Sequence, residues 1–461
     1  MSKSNRISGF REDLCNLCGE CLHLCPVLKL TIDKAKQEIK NLIEGKESKY
    51  ALSKCNTCFS CNLYCPQNAN PYNLILERWN DKYKIQGAPP LYRFVCPTEQ
   101  NNIWQLLNIF LSNQERRWIY DWVTYVPKPD DNILLVGNYT HLFPFILGGS
   151  KLLTYFKPVD RIDQWEGGAY LYQGGYLDLV QRIAKRTKKD FDTWNVKKVV
   201  ACLDAVEYIF KEVHPKEMGV EHSQEFVNFN HWLLENINSS FIQLINKLDI
   251  SVTVHDNCYS KAKENVYWEV PREILKKCGC RIIEMKHNRK NSLCCGFGAG
   301  ASWVRNFSMI FDIMSEGFKK FDEAETTRAK ALVSYCGGCV YLLWAAKELR
   351  RSKIDIYHII EIVRMAMGEN LNYPIDHKRR AWDIITIMTY SLFLSMMKKN
   401  FFISKITYDR EFSTFKPKKY RLLRLMRYIF DLSIIRYLFS KFFLILMRIL
   451  KTRKIKKIIL S

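Results

Sequence analysis

No G-x-G-x-x-G follows a strand-like run in this 461-residue chain, so the glycine fingerprint that cradles a flavin or nicotinamide dinucleotide is missing. Long apolar runs are scarce too. The uncharged segment 384–397 has fourteen residues, short of the roughly 20 that a spanning helix needs. Residues 1–10 (MSKSNRISGF) lack an apolar h-region, so no secretory leader is expected. Acids are sparse at one end: residues 398–461 carry 18 Lys and Arg against Asp409, Glu411 and Asp431, a net of +15. Of the formal +23, only +8 remains for the preceding residues, which argues against nucleic acid as a partner.

Cysteine is abundant, at 17 residues, and hydrophobic residues make up 48%, enough for two to four ordinary cored domains. In a secreted chain such a count would mean disulfides. Here the cysteines fall into metal-ligand spacings, which places the chain in a reducing cytosol. Cys15, Cys18, Cys21 and Cys25 precede Pro26, and Cys55, Cys58, Cys61 and Cys65 precede Pro66. Both runs are C-x2-C-x2-C-x3-C-P, the spacing that wraps cubane [4Fe–4S] clusters. Three close thiolates reach three irons of one cube, and the fourth serves the other cube in two-cluster ferredoxins. The assignment is Cys15, Cys18, Cys21 and Cys65 to one cluster, and Cys55, Cys58, Cys61 and Cys25 to the second. Zinc sites offer their ligands as two pairs, so a duplicated run of four disfavours zinc.

Between and after these runs, residues 28–50 and 73–83 read as helical, which predicts a helical ferredoxin domain rather than the β-rich bacterial kind. Residues 99–125 predict one or two amphipathic helices, closed by Pro127 and Pro129. Strand-like runs follow at 132–137 and 196–203, then at 250–255, 281–285 and 331–334, with helical stretches between them. This alternation predicts α/β architecture with sheets covered on both faces. The two blocks read as repeats. Residues 199–205 align with 332–339 across one gap, 220–226 parallel 356–362, and 163–167 stand where the second block has 292–296.

The second block carries Cys258, the adjacent pair Cys294-Cys295 before Gly296, and Cys336-Gly337-Gly338-Cys339. Adjacent cysteines close no ordinary disulfide, and five thiols exceed what one cubane needs. Gly296, Gly298 and Gly300 would let the chain bend around a bulky cluster. This pattern resembles the cysteine-rich CCG domain of the heterodisulfide reductase family, and the N-terminal runs resemble that family's other module. The order is that of fused forms such as the D-type polypeptide of the membrane-bound reductase and the K-type polypeptide of the sulfite-reduction membrane complex. The same layout occurs in iron–sulfur subunits of glycolate, lactate and glycerol-3-phosphate oxidising systems.

The resemblance implies a helical two-cluster ferredoxin domain over 1–95 and a helical linker over 96–130. A degenerate CCG domain over 131–249, an intact one over 250–370 and a basic amphipathic tail over 371–461 would follow. It implies a noncubane [4Fe–4S] cluster on Cys258, Cys294, Cys295, Cys336 and Cys339, where a disulfide is cleaved in two one-electron steps. The first block departs from the pattern, with Asn138, Trp165-Glu166 and Ala205 at cysteine positions and only Cys202 kept, so one noncubane site is expected.

His255 stands just before Cys258 and is a candidate proton donor to a departing thiolate, as is His287. Arg305 and Lys261 are read as solvated charges, with attraction of an anionic substrate as the other reading. His222 and His358, at matching repeat positions, are read as structural, and Cys96, Cys278 and Cys280 as unligated. From residue 420 onward, Arg and Lys recur among Leu, Ile, Phe and Met, which suits a helix in the headgroup region or one packed on a partner subunit. The expected protein is an iron–sulfur oxidoreductase, peripheral at the cytoplasmic membrane face. Its expected partners are a cytochrome b-type membrane subunit linked to quinone and a thiol, a disulfide or a small sulfur-carrier protein. The alternative is a non-catalytic electron-transfer subunit of a flavin-dependent dehydrogenase.

Overall fold

The computed structural model describes residues 9–97, 99–161, 165–263, 266–298, 309–396, 398–403 and 420–459. No strand occurs in residues 9–86; short helices, Glu20–His23 and Ser60–Leu63, carry the central cysteines of the two runs. The longer Ile32–Ile43 and Pro71–Gln86 helices pack around them. Pro71 starts the latter where its missing N–H costs nothing, and Gly87 ends it at φ +70°. The predicted helical region at 99–125 is two helices, Ile103–Asn108 and Asn113–Thr124. The second begins in a capping box formed by Ser112 and Glu115.

Two four-stranded sheets follow, mixed with helices as predicted. The first comprises β1 (Ile133–Leu135), β2 (Lys157–Val159), β3 (Lys198–Ala201) and β4 (Glu225–Asn228), in the order β2-β1-β3-β4. The second comprises β5 (Ser251–His255), β6 (Arg281–Ile282), β7 (Ala331–Ser334) and β8 (Asp355–His358), in the order β6-β5-β7-β8. Every pairing is parallel. Parallel strands need crossovers, and covering helices bury the central strands, so β1 and β7 read as continuous apolar runs. β2, β4 and β8 escape a sequence reading because each is short and partly exposed.

The matching strand order corrects two repeat alignments. His358 ends β8 and caps the Ile359–Ala366 helix, and its counterpart in that place is Asn228, which ends β4 and caps Phe229–Asn238. His222 lies in the preceding loop. Likewise Leu135 pairs with Ala201 and His255 with Ser334, which sets Leu203 opposite Cys336 and Cys202 opposite Tyr335 without a gap. Cys202 therefore does not hold the Cys336 position.

The uncharged segment 384–397 falls within the expected tail, but the His377–Ser395 helix is part of the body. It packs on the Gly337–Arg350 and Ile103–Asn108 helices, with Arg380 and Asp383 fully buried. Arg380 pairs with Glu115 and Asp383 with Arg427. Uncharged runs longer than this one, 132–150 and 331–346, form a strand with its following turns and a strand with its following helix. Among the described residues, no helix is long and apolar enough to cross a membrane.

Candidate metal centre

An open α/β sheet offers a crevice where neighbouring strands send their connections to opposite sides. In the second sheet that point lies between β5 and β7. Cys258 follows β5 as the first residue of the helix Cys258–Lys261. Cys336 follows β7 as the cap of the Gly337–Arg350 helix, which brings Cys339 onto its first turn. Cys294-Cys295 arrive on the crossover from β6. Cys295 Sγ and Cys339 Sγ lie 3.2 Å apart. Cys336 and Cys295 are close enough to Cys258 to oppose its ionisation, and Cys258 acts on Cys294 in the same way. All five cysteines thus meet at the carboxyl ends of β5 and β7.

A buried carboxylate holds these loops together, and no sequence motif marks it. Asp256 takes Arg272 through both oxygens (2.7 and 2.9 Å), Arg289 N at 2.6 Å and the Tyr335 hydroxyl at 2.9 Å. Its backbone oxygen accepts from Ser292 Oγ at 2.9 Å. Segments bearing Cys258, Cys294 and Cys336 are thereby fixed to one residue. Burial alone would raise the Asp256 pKa, but the hydrogen bonds and charge of Arg272 outweigh it and hold the carboxyl below its usual range.

Glycine is required at two places here. A Cβ on Gly296, at φ +105°, would stand 2.2 Å from Ile313 O, and one on Gly298 would stand 2.0 Å from Asn56 O. Asn56 belongs to the second ferredoxin-type run, and Thr57 Oγ1 donates to Gly298 O at 3.3 Å. The two cysteine-bearing loops therefore touch. Gly300 and Arg305 lie outside the described residues.

The eight N-terminal cysteines gather in two sets. Cys65 lies beside Cys15 and Cys21, with Cys18 in the same group, and Cys25 lies beside Cys58 and Cys61, with Cys55. Each fourth cysteine thus sits with the other run. Burial first, then the neighbouring sulfurs, pushes Cys21 up to about 12 and Cys25 up to about 11. Such crowded thiols stay protonated unless a cation replaces the proton, which is what iron does.

Backbone N–H groups already point at sulfur: Thr57 N to Cys55 Sγ and Gly296 N to Cys294 Sγ at 3.3 Å, and Ala69 N to Cys65 Sγ at 3.4 Å. Among the described residues, the only three candidate ligand atoms all within 4.8 Å of one another belong to His255, Cys295 and Cys339. No other set of three such atoms among the described residues lies as close together. Sulfur donors, N–H···S bonds and this spacing fit iron–sulfur clusters.

His255 is 1% exposed beside Cys295, and burial pushes its imidazole pKa down. His287 pairs instead with Glu323, which also takes Lys320 at 3.0 Å. Gln173, from the first block, donates to Cys258 Sγ at 3.4 Å, a contact no local motif announces. Cys96, Cys278 and Cys280 are buried away from these groupings. Lys261, expected in solvent, is 2% exposed.

Comparison with known proteins agrees with this geometry. A 4Fe-4S dicluster domain matches residues 9–66 and a cysteine-rich CCG domain matches residues 252–343. The fold and these domains define an iron–sulfur oxidoreductase. More particularly, the chain carries the two domains found in heterodisulfide reductase polypeptides and is similar to one of them over most of its length. It is 23% identical over 407 residues to the D-type polypeptide of the dihydromethanophenazine:CoB–CoM heterodisulfide reductase of Methanosarcina acetivorans, covering 77% of this chain and 94% of that one. It is 26% identical over 197 residues to the "Probable iron-sulfur-binding oxidoreductase FadF" of Bacillus subtilis, covering 41% of this chain and 26% of that one. With the EtfAB:quinone oxidoreductase of Syntrophomonas wolfei it shares 22% over 209 residues, 44% of this chain and 27% of the other.

Proposed function

We propose that this chain is an iron–sulfur subunit of heterodisulfide reductase type. It would exchange electrons between a quinone-linked, cytochrome b-type membrane partner and a disulfide or dithiol, free or carried on a small protein. The observation that carries the reading is the convergence of Cys258, Cys294, Cys295, Cys336 and Cys339 at one strand switch point, in contact with the second ferredoxin-type loop. In this reading Cys15, Cys18, Cys21 and Cys65 hold one cubane cluster, Cys55, Cys58, Cys61 and Cys25 a second, and the five cysteines a noncubane [4Fe–4S] cluster. When bound, the noncubane cluster supplies or accepts electrons one at a time. Reducing the substrate breaks its S–S bond and takes up two electrons and two protons, giving two thiols; oxidation is the reverse. His255, enclosed beside Cys295, is assigned to hold and pass a proton there.

The shared strand order supports residues 131–249 as a degenerate copy of the CCG domain. In place of a metal set that block buries Glu166, which accepts Tyr139 N at 2.7 Å and which burial pushes up to about 8. The tail helices, Arg421–Ile429 and Ser433–Ile459, support a peripheral position at the cytoplasmic membrane face. A second reading, a non-catalytic electron-transfer subunit of a flavin-dependent dehydrogenase, draws on the likeness to the EtfAB:quinone oxidoreductase.

EPR of the anaerobically purified, oxidised protein separates the two. A paramagnetic signal that depends on added thiol, lost in Cys294→Ser while both cubane signals persist in the reduced protein, is the expected result. A spectrum indifferent to every thiol favours the second reading, and loss of all three signals in the variant refutes the ligand assignment.

A further inference from the structure

Lys261 ends the short helix that Cys258 begins, and its side chain is almost wholly enclosed, at 2% exposure. Its Nζ lies 3.4 Å from Ser60 Oγ, and Ser60 Oγ lies 3.3 Å from Cys58 Sγ. Ser60 is itself buried. Among the described residues, no carboxylate pairs with Lys261. The neighbouring lysines differ: Lys263 reaches Glu207 at 2.5 Å, Lys211 reaches Glu207 at 3.3 Å and Lys320 reaches Glu323 at 3.0 Å. A buried ammonium without a counter-charge is strongly disfavoured. The groups it meets bear sulfur: Cys58, through Ser60, on one side, and Cys258, at the other end of its own single-turn helix.

We infer that Lys261 is a counter-cation shared by the second cubane and the five-cysteine centre, raising the reduction potential of both. The inference rests on the reading above that both sets of cysteines hold iron–sulfur clusters. A thiolate-ligated cluster is net anionic and gains a further negative charge on reduction, so a fixed cation in a medium of low dielectric favours the reduced form. The Ser60 hydroxyl, accepting from the ammonium, is free to donate to the Cys58 sulfur and extends the same bias. The first run has the exposed Glu20 where the second has Ser60, and among the described residues no buried lysine bonds at that position. Lys261 is thus a tuning residue that acts on two redox sites at once and leaves the third alone.

EPR-monitored redox titration of the full chain, anaerobically purified, with iron analysis, tests this in Lys261→Met and Lys261→Arg. Lys261→Met should keep its iron and all three signals. At the wild-type midpoints the second cubane and the five-cysteine centre should each be about tenfold less reduced, a fall of about 59 mV for a one-electron couple. The first cubane should not move, and Lys261→Arg should titrate like wild type. Unmoved potentials in Lys261→Met overturn the inference alone. If Lys261→Met loses clusters, Lys261→Arg decides: wild-type spin and potentials support the charge, and the same loss assigns Lys261 to packing and overturns it. A wild-type chain without iron–sulfur signals overturns the underlying cluster reading, and this inference with it.

Discussion

His358 illustrates what burial does to a single titratable residue. Its Nδ1 accepts Ile360 N at 3.3 Å, so the neutral ring caps a helix, and its backbone N donates to Glu361 at 2.8 Å. Burial pushes the imidazole down to about 4, against about 6.5 in an unfolded chain. Because the folded value is the lower, the unfolded chain takes the proton first as pH falls. The contribution is complete above about pH 6.5 and is lost progressively toward pH 4, where the loss amounts to roughly 3 kcal/mol. His214, pushed down to about 3 by burial, acts in the same direction. Thermal melts at pH 7 and pH 5 should therefore show wild type losing more of its midpoint than His358→Asn, which keeps a capping side chain without a titrating one. Equal losses would mean that His358 contributes nothing to acid sensitivity.

At the level of elements, the two tail helices have contrasting faces. One face folds back on the body: Phe443 stacks on Phe311 at 5.4 Å, Trp382 meets Phe430 at 5.4 Å, and Arg427 pairs with Asp383 at 2.7 Å. The other face carries Ile434, Leu438, Phe442, Ile445 and Ile449 at helical spacing, exposed by 45 to 62%. Arg424, Lys441 and Arg448 lie along the same two helices. An apolar stripe bordered by cations suits the interface of an anionic bilayer. Leu438→Asp with Phe442→Asp should abolish co-sedimentation with phosphatidylglycerol vesicles while the thermal midpoint moves little, because both side chains already face solvent. Unchanged sedimentation would leave a protein partner as the cover for this stripe.

Across the whole molecule, the carboxyl ends of the two sheets face each other. Asp204, just past β3, accepts Asn228 Nδ2 at 2.6 Å and Asn257 Nδ2 at 2.7 Å. Asn257 in turn caps the helix bearing Cys258, accepting Ser260 N at 2.9 Å, and Tyr259 donates to Ala169 O at 2.9 Å. The first sheet, which brings no cysteine set of its own, thereby roofs the second sheet's site. Asp204→Ala should strand two buried amides and cost about 2–4 kcal/mol. A lower thermal midpoint together with a disturbed five-cysteine signal and intact cubane signals is the expected pattern. Loss of stability with an unaltered signal would confine Asp204 to packing.

Cysteine spacing is a local property of the chain, so the two ferredoxin-type runs, the CCG pattern and the α/β alternation were all legible in the sequence. The expected exchange of Cys25 and Cys65 came from the same spacing, in which a proline follows each fourth cysteine, and the fold sets each of them near sulfurs of the other run. Other features depend on which distant segments meet. The correspondence of Cys202 needed strand register, since a one-residue slip between two continuous apolar strands leaves the hydrophobic pattern almost unchanged. Asp256, Gln173 and Asp204 gain their partners from residues far along the chain. Lys261 looked like any surface lysine, because a sequence records a charge but not its solvent; packing of the second cysteine loop against the second sheet encloses it. The sequence by itself determined which groups this protein offers to iron. The tertiary structure decided which of them meet, and what dielectric and which buried charge they meet in.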